Sequence, residues 1–430
     1  MKFRNMLKNN IRLFLLLIVA GLIGYVIGVT RISFAVHSYQ PDIKVASKEP
    51  PPSLMHGDFS LFWVVLDKLQ TMYYDKKAID PQKMINGAIG GMVASLDDPY
   101  TVYLPPKQND DFKQSMAGKF EGIGAELGMK DKKIVVVSPL DGSPAKAAGI
   151  RAGDVIIKVN DVYTSGWDIN QTVEKIRGPK GTEVTLNVLH KSDTKPVDIK
   201  IVRDTINIKS ITTWTKPVTE IDGINKTDLL KQNAGDKVIY IRLSQFGDTA
   251  DAEWLQITNK VNTQMQKDKS IKGIVFDLRN NPGGYLDDAI YIISEFVKDG
   301  VAVMKEDRNG DRTNYPVSGK GLLYDVPVVV LINKGSASAS EIVAGSLRDH
   351  QRATLVGENS FGKGTVQQAE DLGGGAGIHI TIAKWLTPNA TWVGNGKDGT
   401  GLKPDISVDL DKKDDSHDVQ LEKAVEALVK

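Results

Sequence analysis

The chain has 430 residues, 41% of them hydrophobic and 25% charged, which is the composition of an ordinary globular protein of two or three domains. Lysine and arginine number 54 against 53 aspartate and glutamate, so the net charge of +1 creates no general attraction to nucleic acid. The absence of cysteine excludes disulfides, thiolate metal sites and cysteine nucleophiles.

The N-terminus has the pattern of a membrane signal-anchor. An uncharged apolar run of 17 residues occupies positions 13–29, and it reads LFLLLIVAGLIGYVIGV. As a helix it reaches about 25 Å, slightly less than the roughly 30 Å hydrocarbon core, and its flanks could extend it. Four basic residues precede the run, at Lys2, Arg4, Lys8 and Arg12. They predict a cytoplasmic N-terminus, a single pass and an extracytoplasmic remainder. A cleaved signal peptide is the alternative, although no small-x-small site stands before Arg31.

Residues 31–56 are predicted to be a linker and residues 57–117 a helical region. KEPPPS, at 48–53, indicates a stiff polyproline-like spacer. FWVVLDKLQTMYY and PQKMINGAIGGMVASL then place apolar residues three and four apart, as amphipathic helices do. LDDPYTVYL, at 96–104, ends this segment with a turn. We expect a small helical domain or a dimerisation arm, through which the protein would form a homo-oligomer.

Residues 118–206 change to short strands around one helix, DINQTVEKIRG. Within them, GSPAKAAGIRAGDVIIKVNDV resembles the PDZ family, and GIGAEL (122–127) stands where that family binds a terminal carboxylate. Successive backbone N–H groups in a glycine-rich turn suit a carboxylate, and a free strand edge can extend a bound peptide. A glycine-rich hairpin in another small β domain is the alternative.

Residues 207–410 alternate strands and helices. Continuous apolar strands such as KVIYIRL, GIVFDL and VPVVVLI lie between amphipathic helical segments, which predicts an α/β core around a buried sheet. The last segment, 411–430, ends in HDVQLEKAVEALVK, the pattern of a short amphipathic helix. The whole chain is therefore predicted to be an α/β (α+β) multidomain protein.

GENSFGKGTVQQ, at 357–368, is close to a phosphate-binding loop. Gly357, Gly362 and Lys363 match G-x-x-x-x-G-K, but Gly364 stands where the Mg²⁺-binding hydroxyl should be. A phosphate loop also opens a helix, whereas this stretch continues into glycines and a strand. An ATPase is therefore disfavoured, and Lys363 is free for another role.

Three serines in NKGSASASEIVAGSLRD follow a strand and precede a helix, a position that suits a nucleophile. The alternative is a capping box, since Ser338-x-x-Glu341 has its spacing. A nucleophilic serine needs a base. His350 lies twelve residues beyond Ser338 on the predicted helix, about 18 Å away, so it is too far. His379, on a strand, and Lys363 both remain as candidates, since burial can lower the pKa of a lysine enough for it to act as a base.

Four ordered motifs resemble the C-terminal processing (tail-specific, carboxyl-terminal) serine proteases with a PDZ domain. They are the PDZ segment, DLRNNPGG (277–284), GSASASEIVAG (335–345) and GENSFGKGTVQ (357–367), and the likeness covers roughly residues 57–405. The resemblance implies a serine-type endopeptidase that needs no metal or cofactor. It also implies that substrates are proteins or peptides with a free C-terminus.

The same resemblance assigns the site residues. It makes Ser338 the nucleophile, Lys363 the base and Gln367 the residue that orients the lysine, with the backbone N–H groups of Gly284 and Ala339 as the oxyanion hole. It also implies that the substrate C-terminus is bound at Gly122, Ile123, Gly124 and Ala125, and that Arg177 couples the PDZ domain to the active site.

Two other functions remain open at this stage. One is a membrane-anchored PDZ scaffold without protease activity, although Ser338, Lys363 and Gln367 are intact. The other is an acyl-CoA-type enzyme, since the alternating core is also typical of the crotonase fold. The sequence leaves open whether the PDZ domain inhibits the protease or delivers substrate to it.

Overall fold

A computed structural model describes residues 31–37, 40–46, 58–130, 133–140, 142–191, 193–207, 209–394, 401–409 and 417–430. The apolar run at 13–29, predicted to be a membrane anchor, lies outside the described residues. Over the ranges described, none of the helices combines the length and the apolar character that crossing a membrane requires. The chain divides into two compact units, Met1–Met84 and Ile85–Lys430.

The first unit contains a hairpin and a helix. Strands β1 (Arg31–His37) and β2 (Gln40–Ala46) pair antiparallel within the stretch predicted to be an extended linker. Their apolar residues alternate along the sequence, which favours strands. Helix α1 (Ser60–Met72) has no buried residue, and Trp63 is 60% exposed. Helix α2 (Pro81–Ala94) begins in this unit and continues into the second.

Strand β3 (Val102–Leu104) and helix α3 (Pro106–Met116) open the second unit. The sequence interpretation of LDDPYTVYL as a turn alone is corrected here. The second half of this motif is β3, which pairs antiparallel with a long strand of the core, β20 (Ala376–Leu386). The second half of the motif is therefore anchored against the core sheet, although the two segments are far apart in the sequence.

The predicted PDZ segment folds as a sheet with strand order β10-β9-β7-β6-β5, with β8 paired to β7. Its strands are β5 (Ala125–Lys130), β6 (Lys133–Pro139), β7 (Val155–Val159), β8 (Val162–Tyr163), β9 (Glu183–Leu189) and β10 (Val197–Val202). A separate pair, β4 (Lys119–Gly122) and β11 (Asp204–Asn207), joins it to the core. Helix α4 (Pro144–Ala147) is short, and helix α5 (Ile169–Ile176) packs beside β5. Because β5 is the last strand of its sheet, its outer edge is open for a peptide strand.

The core is the α/β fold that the sequence predicts. A six-stranded sheet has the order β12-β13-β14-β17-β18-β21, parallel except for β12. Its strands are β12 (Ile211–Pro217), β13 (Lys237–Leu243), β14 (Ile271–Asp277), β17 (Val328–Ile332), β18 (Ala353–Gly357) and β21 (Ile406–Ser407). Both faces are covered by helices, as a parallel sheet requires. The helices are α6 (Asp228–Gln232), α7 (Ala250–Lys267), α8 (Leu286–Phe296), α9 (Ala339–Asp349) and α10 (Val419–Val429).

Two apolar clusters hold these layers together. One cluster packs α7, α8 and α9 on one face of the sheet and includes Trp254, Ile292 and Val343. The other packs α6 and α10 on the opposite face and includes Leu230 and Val425. All five residues are fully buried. The close packing makes the sheet and its helices a rigid support for the loops at the sheet's edge.

A second core sheet lies beside the first, with strand order β16-β15-β20-β19 and β3 paired to β20. It contains β15 (Val301–Asp307), β16 (Arg312–Pro316), β19 (Thr365–Gly373) and β20. Lys363 lies two residues before β19 and is not followed by a helix, which agrees with the argument against a phosphate loop.

Candidate active site

Ser338 occupies a strained turn at the start of α9. Its φ of 52° and ψ of −116° lie outside the regions that a serine ordinarily adopts, and such strain is common at functional sites. The two neighbouring serines are fully buried, and their hydroxyls donate to the carbonyls of Leu278 (from Ser336, 2.8 Å) and Asn281 (from Ser340, 2.9 Å). Ser338 is half-buried, so it is the accessible serine of the three.

The glycine turn of DLRNNPGG lies directly against Ser338. The Ala337 N–H donates to the Asn281 carbonyl at 3.0 Å, and a Cβ atom on Gly283 would approach the Ala339 nitrogen to 2.9 Å. Gly284 has a φ of 145°, and a Cβ atom there would collide with the carbonyl of Phe246. Only glycine fits this backbone approach.

Two N–H groups at this turn are available to a ligand. Ala339 is the first residue of α9, where a helix leaves its N–H groups without internal partners. Among the described residues, neither the Ala339 N–H nor the Gly284 N–H has a hydrogen-bond acceptor. The structure thus brings together the two donors that the resemblance assigns to the oxyanion hole.

Lys363 lies at the end of a loop packed on the second sheet. Its carbonyl accepts the Trp385 Nε1–H at 2.8 Å, and its Nζ lies 5.0 Å from the centre of the Tyr100 ring. Burial lowers the pKa of Lys363 below its ordinary value, while the carboxylates of Asp98 and Glu341 oppose that shift. Within the described ranges its Nζ makes no ion pair. A lysine in this setting is easier to deprotonate than one in water.

Glu341 connects the serine turn to the lysine loop. Its Oε2 accepts the N–H groups of Ser338 and Lys363, each at 2.9 Å, and its Oε1 accepts the Gly362 N–H and the Ser360 hydroxyl, each at 2.6 Å. The side chain is fully buried, and burial raises the pKa of Glu341 despite these four donors. The predicted capping contact of Glu341 is therefore present, but the residue does more than cap α9.

Gln367 lies on β19 and is hydrogen-bonded to two threonines. Its Nε2 donates to the hydroxyls of Thr365, at 2.8 Å, and Thr381, at 3.2 Å. No hydrogen bond joins Gln367 to Lys363, or Ser338 to Lys363, in the part of the chain that the structure describes. The orienting role of Gln367 stays a prediction.

The two histidines have different settings. His350 follows α9, and its Nε2 is hydrogen-bonded to the carbonyl of Val301 at 2.8 Å, which is a structural contact. His379 lies on β20 with its ring edge-on to Phe112, at 4.5 Å between centroids. Burial and the charge of Lys363 both lower the pKa of His379.

Asp98 and Tyr100 belong to this site, although sequence reasoning placed them only in a turn. Asp98 accepts the Tyr100 N–H at 3.0 Å and the Thr101 hydroxyl at 2.7 Å. Thr101 in turn accepts the Thr381 N–H at 3.0 Å. The signal available in the sequence was the polar cluster DDPYT between two helices, which does not indicate where the segment packs.

The predicted carboxylate-binding loop precedes the free edge of β5. The carbonyls of Ile123 and Gly124 accept the N–H groups of Ala145, at 2.8 Å, and Leu140, at 2.9 Å. Gly124 has a φ of 72°, and a Cβ atom there would approach the Ser143 Cβ to 2.5 Å. The loop is thus held in a glycine-dependent shape beside β5.

Arg177 ends helix α5 and faces a cavity of about 680 Å³ between the PDZ segment and the core. Its guanidinium carbon lies 5.0 Å from the centre of the Phe120 ring. Glu121 and Lys209 also line the cavity, together with Ser244 of the core. Arg177 therefore lies where the PDZ segment meets the core.

We expect Asp288 to limit stability at neutral and alkaline pH. Burial, together with the nearby carboxylates of Asp251, Asp287 and Asp248, raises the pKa of Asp288 to about 7. Among the described residues, its buried Oδ2 has no hydrogen-bond partner. A raised pKa means that the folded protein binds a proton that the unfolded chain releases between about pH 4 and 7. The free energy of unfolding should therefore fall as the pH rises through this window.

Asp288→Asn should raise the free energy of unfolding at pH 8 by on the order of 1 kcal/mol, since solvent screening of this half-buried group reduces the full effect. At pH 4 the gain should disappear. Thermal or denaturant unfolding at both pH values tests this, with Asp299→Asn as the matched control, because Asp299 is exposed and is not one of the carboxylates that raise the pKa of Asp288. An equal gain at pH 4 and pH 8 would show that the charge of Asp288 is not the cause.

Comparisons with known proteins agree with this architecture. The sequence profile of peptidase family S41 matches residues 237–408, that of the PDZ domain matches 113–189, and that of the activating protease CtpB N-terminal domain matches 42–107.

Similar proteins have been described in bacteria. The chain is 38% identical to a carboxy-terminal-processing protease of Bartonella bacilliformis, over 84% of this chain and 77% of that protein. It is also 38% identical to carboxy-terminal processing protease CtpB of Bacillus subtilis, over 80% of this chain and 68% of that protein. A crystal structure described as an S41 protease from Bacteroides fragilis shares the fold, with a TM-score of 0.50 at 16% identity, over 81% of this chain and 90% of that one. The chain therefore belongs to peptidase family S41, and it is a serine protease of the carboxy-terminal processing type that carries a PDZ domain.

Proposed function

We propose that the protein hydrolyses peptide bonds of substrates with a free C-terminal tail, with Ser338 as nucleophile and Lys363 as general base. One observation carries this assignment. The backbone of a strained, accessible serine and the backbone of a half-buried lysine are both bonded to the single buried carboxylate of Glu341. Ser-Lys pairs are a known variant of the serine triad.

The chemistry is an acyl transfer in two steps. Ser338 Oγ attacks the peptide carbonyl carbon while neutral Lys363 takes its proton, and the lysine returns that proton to the leaving amine as the C–N bond breaks. Water then attacks the ester, Lys363 accepts a proton from it, and the product carboxylate leaves as Ser338 regains its hydrogen. The lowered pKa of Lys363 favours the neutral amine that the first step needs.

Charge on the carbonyl oxygen would be stabilised by the N–H groups of Gly284 and Ala339. Loss of one such donor typically costs about 3–4 kcal/mol of activation free energy. Both N–H groups are attached to backbone whose position is set by contacts with Phe246, Asn281 and α9. No hydrogen bond joins Ser338 to Lys363 among the described residues, so the two side chains would have to approach each other for proton transfer. The side-chain amide of Gln367 would then orient the amine of Lys363.

Substrate recognition is assigned to the PDZ domain. The N–H groups of residues 122–125 would bind the terminal carboxylate, and the outer edge of β5 would pair with the last residues of the tail. The position of Arg177 at the cavity between this domain and the core supports its proposed role in coupling tail binding to the active site.

The cellular arrangement is part of the same proposal. Residues 13–29 would anchor the protein in the cell membrane as a single pass with a cytoplasmic N-terminus, and the catalytic part would be extracytoplasmic. The exposed apolar side chains of α1 support a homo-oligomer formed through the N-terminal helices. The core sheet with its covering helices would be of the crotonase-like type.

The experiment measures how fast the full-length protein cleaves two peptides. Both are unstructured and end in the same apolar residue, but one has a free carboxylate and the other a C-terminal amide. We expect the free-acid peptide to be cleaved with at least a ten-fold higher kcat/KM, and no cleavage of either by Ser338→Ala.

Equal cleavage of the two peptides would contradict the tail-recognition part of the proposal. Cleavage by Ser338→Ala would contradict the catalytic part.

A further inference from the structure

Tyr100 provides an aromatic surface for the amine of Lys363. The Nζ atom lies 5.0 Å from the ring centre, within the range in which an ammonium group is attracted to a tyrosine face. Both side chains are half-buried, so the contact is less weakened by water than one at an open surface.

The backbone that carries the ring is held in place by a chain of hydrogen bonds. Asp98 accepts the Tyr100 N–H through Oδ1 and the Thr101 hydroxyl through Oδ2, and Thr101 accepts the N–H of Thr381. The next residues form β3. Strand β3 pairs with one edge of β20, and β19 pairs with the opposite edge. The position of Tyr100 therefore follows from the core sheet, although the residue lies outside the matched S41 region.

Four titratable groups surround the Lys363 amine. Asp98 and Glu341 are carboxylates, Tyr100 presents a ring face, and His379 interacts with Lys363 from β20. The carboxylates and the ring stabilise the ammonium form, whereas burial stabilises the neutral amine. The ring is the one of the four that touches the lysine by its aromatic face.

We infer that Tyr100, held by Asp98, is a positioning residue for the general base. It fixes the end of the Lys363 side chain beside the second sheet and sets the balance between the ammonium and amine forms. This inference rests on the proposed function of Lys363, but the contact itself can be tested without protease activity.

The direct test is a titration of Lys363 in full-length Ser338→Ala, which cannot turn over peptide by the proposed route. The rate at which acetic anhydride modifies Lys363 is followed against pH by peptide mass mapping. Since the ring favours the ammonium form, Tyr100→Leu should lower the pKa of Lys363 by on the order of half a unit to one unit. Tyr100→Phe keeps the ring face and should leave the titration unchanged.

Tyr103→Leu is the matched control, because Tyr103 belongs to the same segment but its hydroxyl donates to Asn86. An unchanged pKa in Tyr100→Leu, or an equal shift in Tyr103→Leu, would overturn the inference. So would a shift in Tyr100→Phe, which would assign the effect to the hydroxyl and not to the ring.

Activity provides the second readout, with Ser338 present. Tyr100→Leu should lower kcat about ten-fold with little change in KM, and the acid limb of kcat/KM should move to lower pH together with the titration. A shifted titration with an unmoved acid limb would mean that Lys363 is not the base. That result would reject the proposed function and leave the contact between Tyr100 and Lys363 established.

Discussion

Lys363→Ala should lower kcat/KM for an unstructured peptide by about 10²- to 10⁴-fold while the protein stays folded. The variant keeps the serine, the oxyanion donors and the PDZ domain, so the loss isolates proton transfer from Ser338. We expect little change in the free energy of unfolding, because the backbone N–H and carbonyl of residue 363 keep their bonds to Glu341 and Trp385.

Two further variants make this measurement specific. Lys363→Arg keeps a positive charge but cannot act as a base at working pH, so it should be as inactive as alanine. Lys305→Ala is the matched control, since Lys305 on β15 is a half-buried lysine whose Nζ also lies over a tyrosine ring, that of Tyr315 on β16. Equal turnover by Lys363→Ala and the wild type would reject the Ser-Lys mechanism and make His379 the candidate base.

Glu341→Gln should impair both activity and stability. The carboxylate accepts four donors, three of them backbone N–H groups on the serine turn and the lysine loop. An amide has one accepting oxygen, and its NH₂ group would face donors that need an acceptor. We expect a loss of about 2–4 kcal/mol in the free energy of unfolding.

Activity of the folded Glu341→Gln protein should fall at least ten-fold in kcat, because the variant loosens the bond that ties Lys363 to the turn of Ser338. Denaturant unfolding and kcat are measured at a temperature where the variant is folded. Glu295→Gln is the control, since Glu295 is also buried but accepts one backbone N–H, that of Leu322. Full kcat in folded Glu341→Gln would contradict a positioning role and leave only a structural one.

The core and the candidate catalytic residues could largely be predicted from the sequence. Alternating apolar strands and amphipathic helices have strong periodicity, so β13, β14, β17 and the helices between them were predictable. Helix geometry alone excluded His350, which the structure places beyond the end of α9. The resemblance then selected Ser338 and Lys363, and the structure places their two loops on a common partner.

The contacts that Glu341 and Tyr100 make at the site could not be predicted from the sequence in the same way. Glu341 has the spacing of a helix cap, so its additional bonds to the lysine loop depend on how two distant segments fold together. Tyr100 contacts Lys363 only because β3 joins the edge of β20, a pairing with no local signal. The bonds of Gln367 to Thr365 and Thr381 in place of Lys363, among the described residues, also depend on tertiary packing and not on spacing along the chain.

The most direct measurement identifies the residue that carries the acyl group during turnover. The full-length protein is mixed with the free-acid peptide, quenched with acid in the first turnover, digested and mapped by mass spectrometry. We expect an ester of the N-terminal peptide fragment on Ser338, and none in Lys363→Ala or Ser338→Ala. An acyl group on any other residue, or turnover without a covalent species, would contradict the Ser338–Lys363 mechanism.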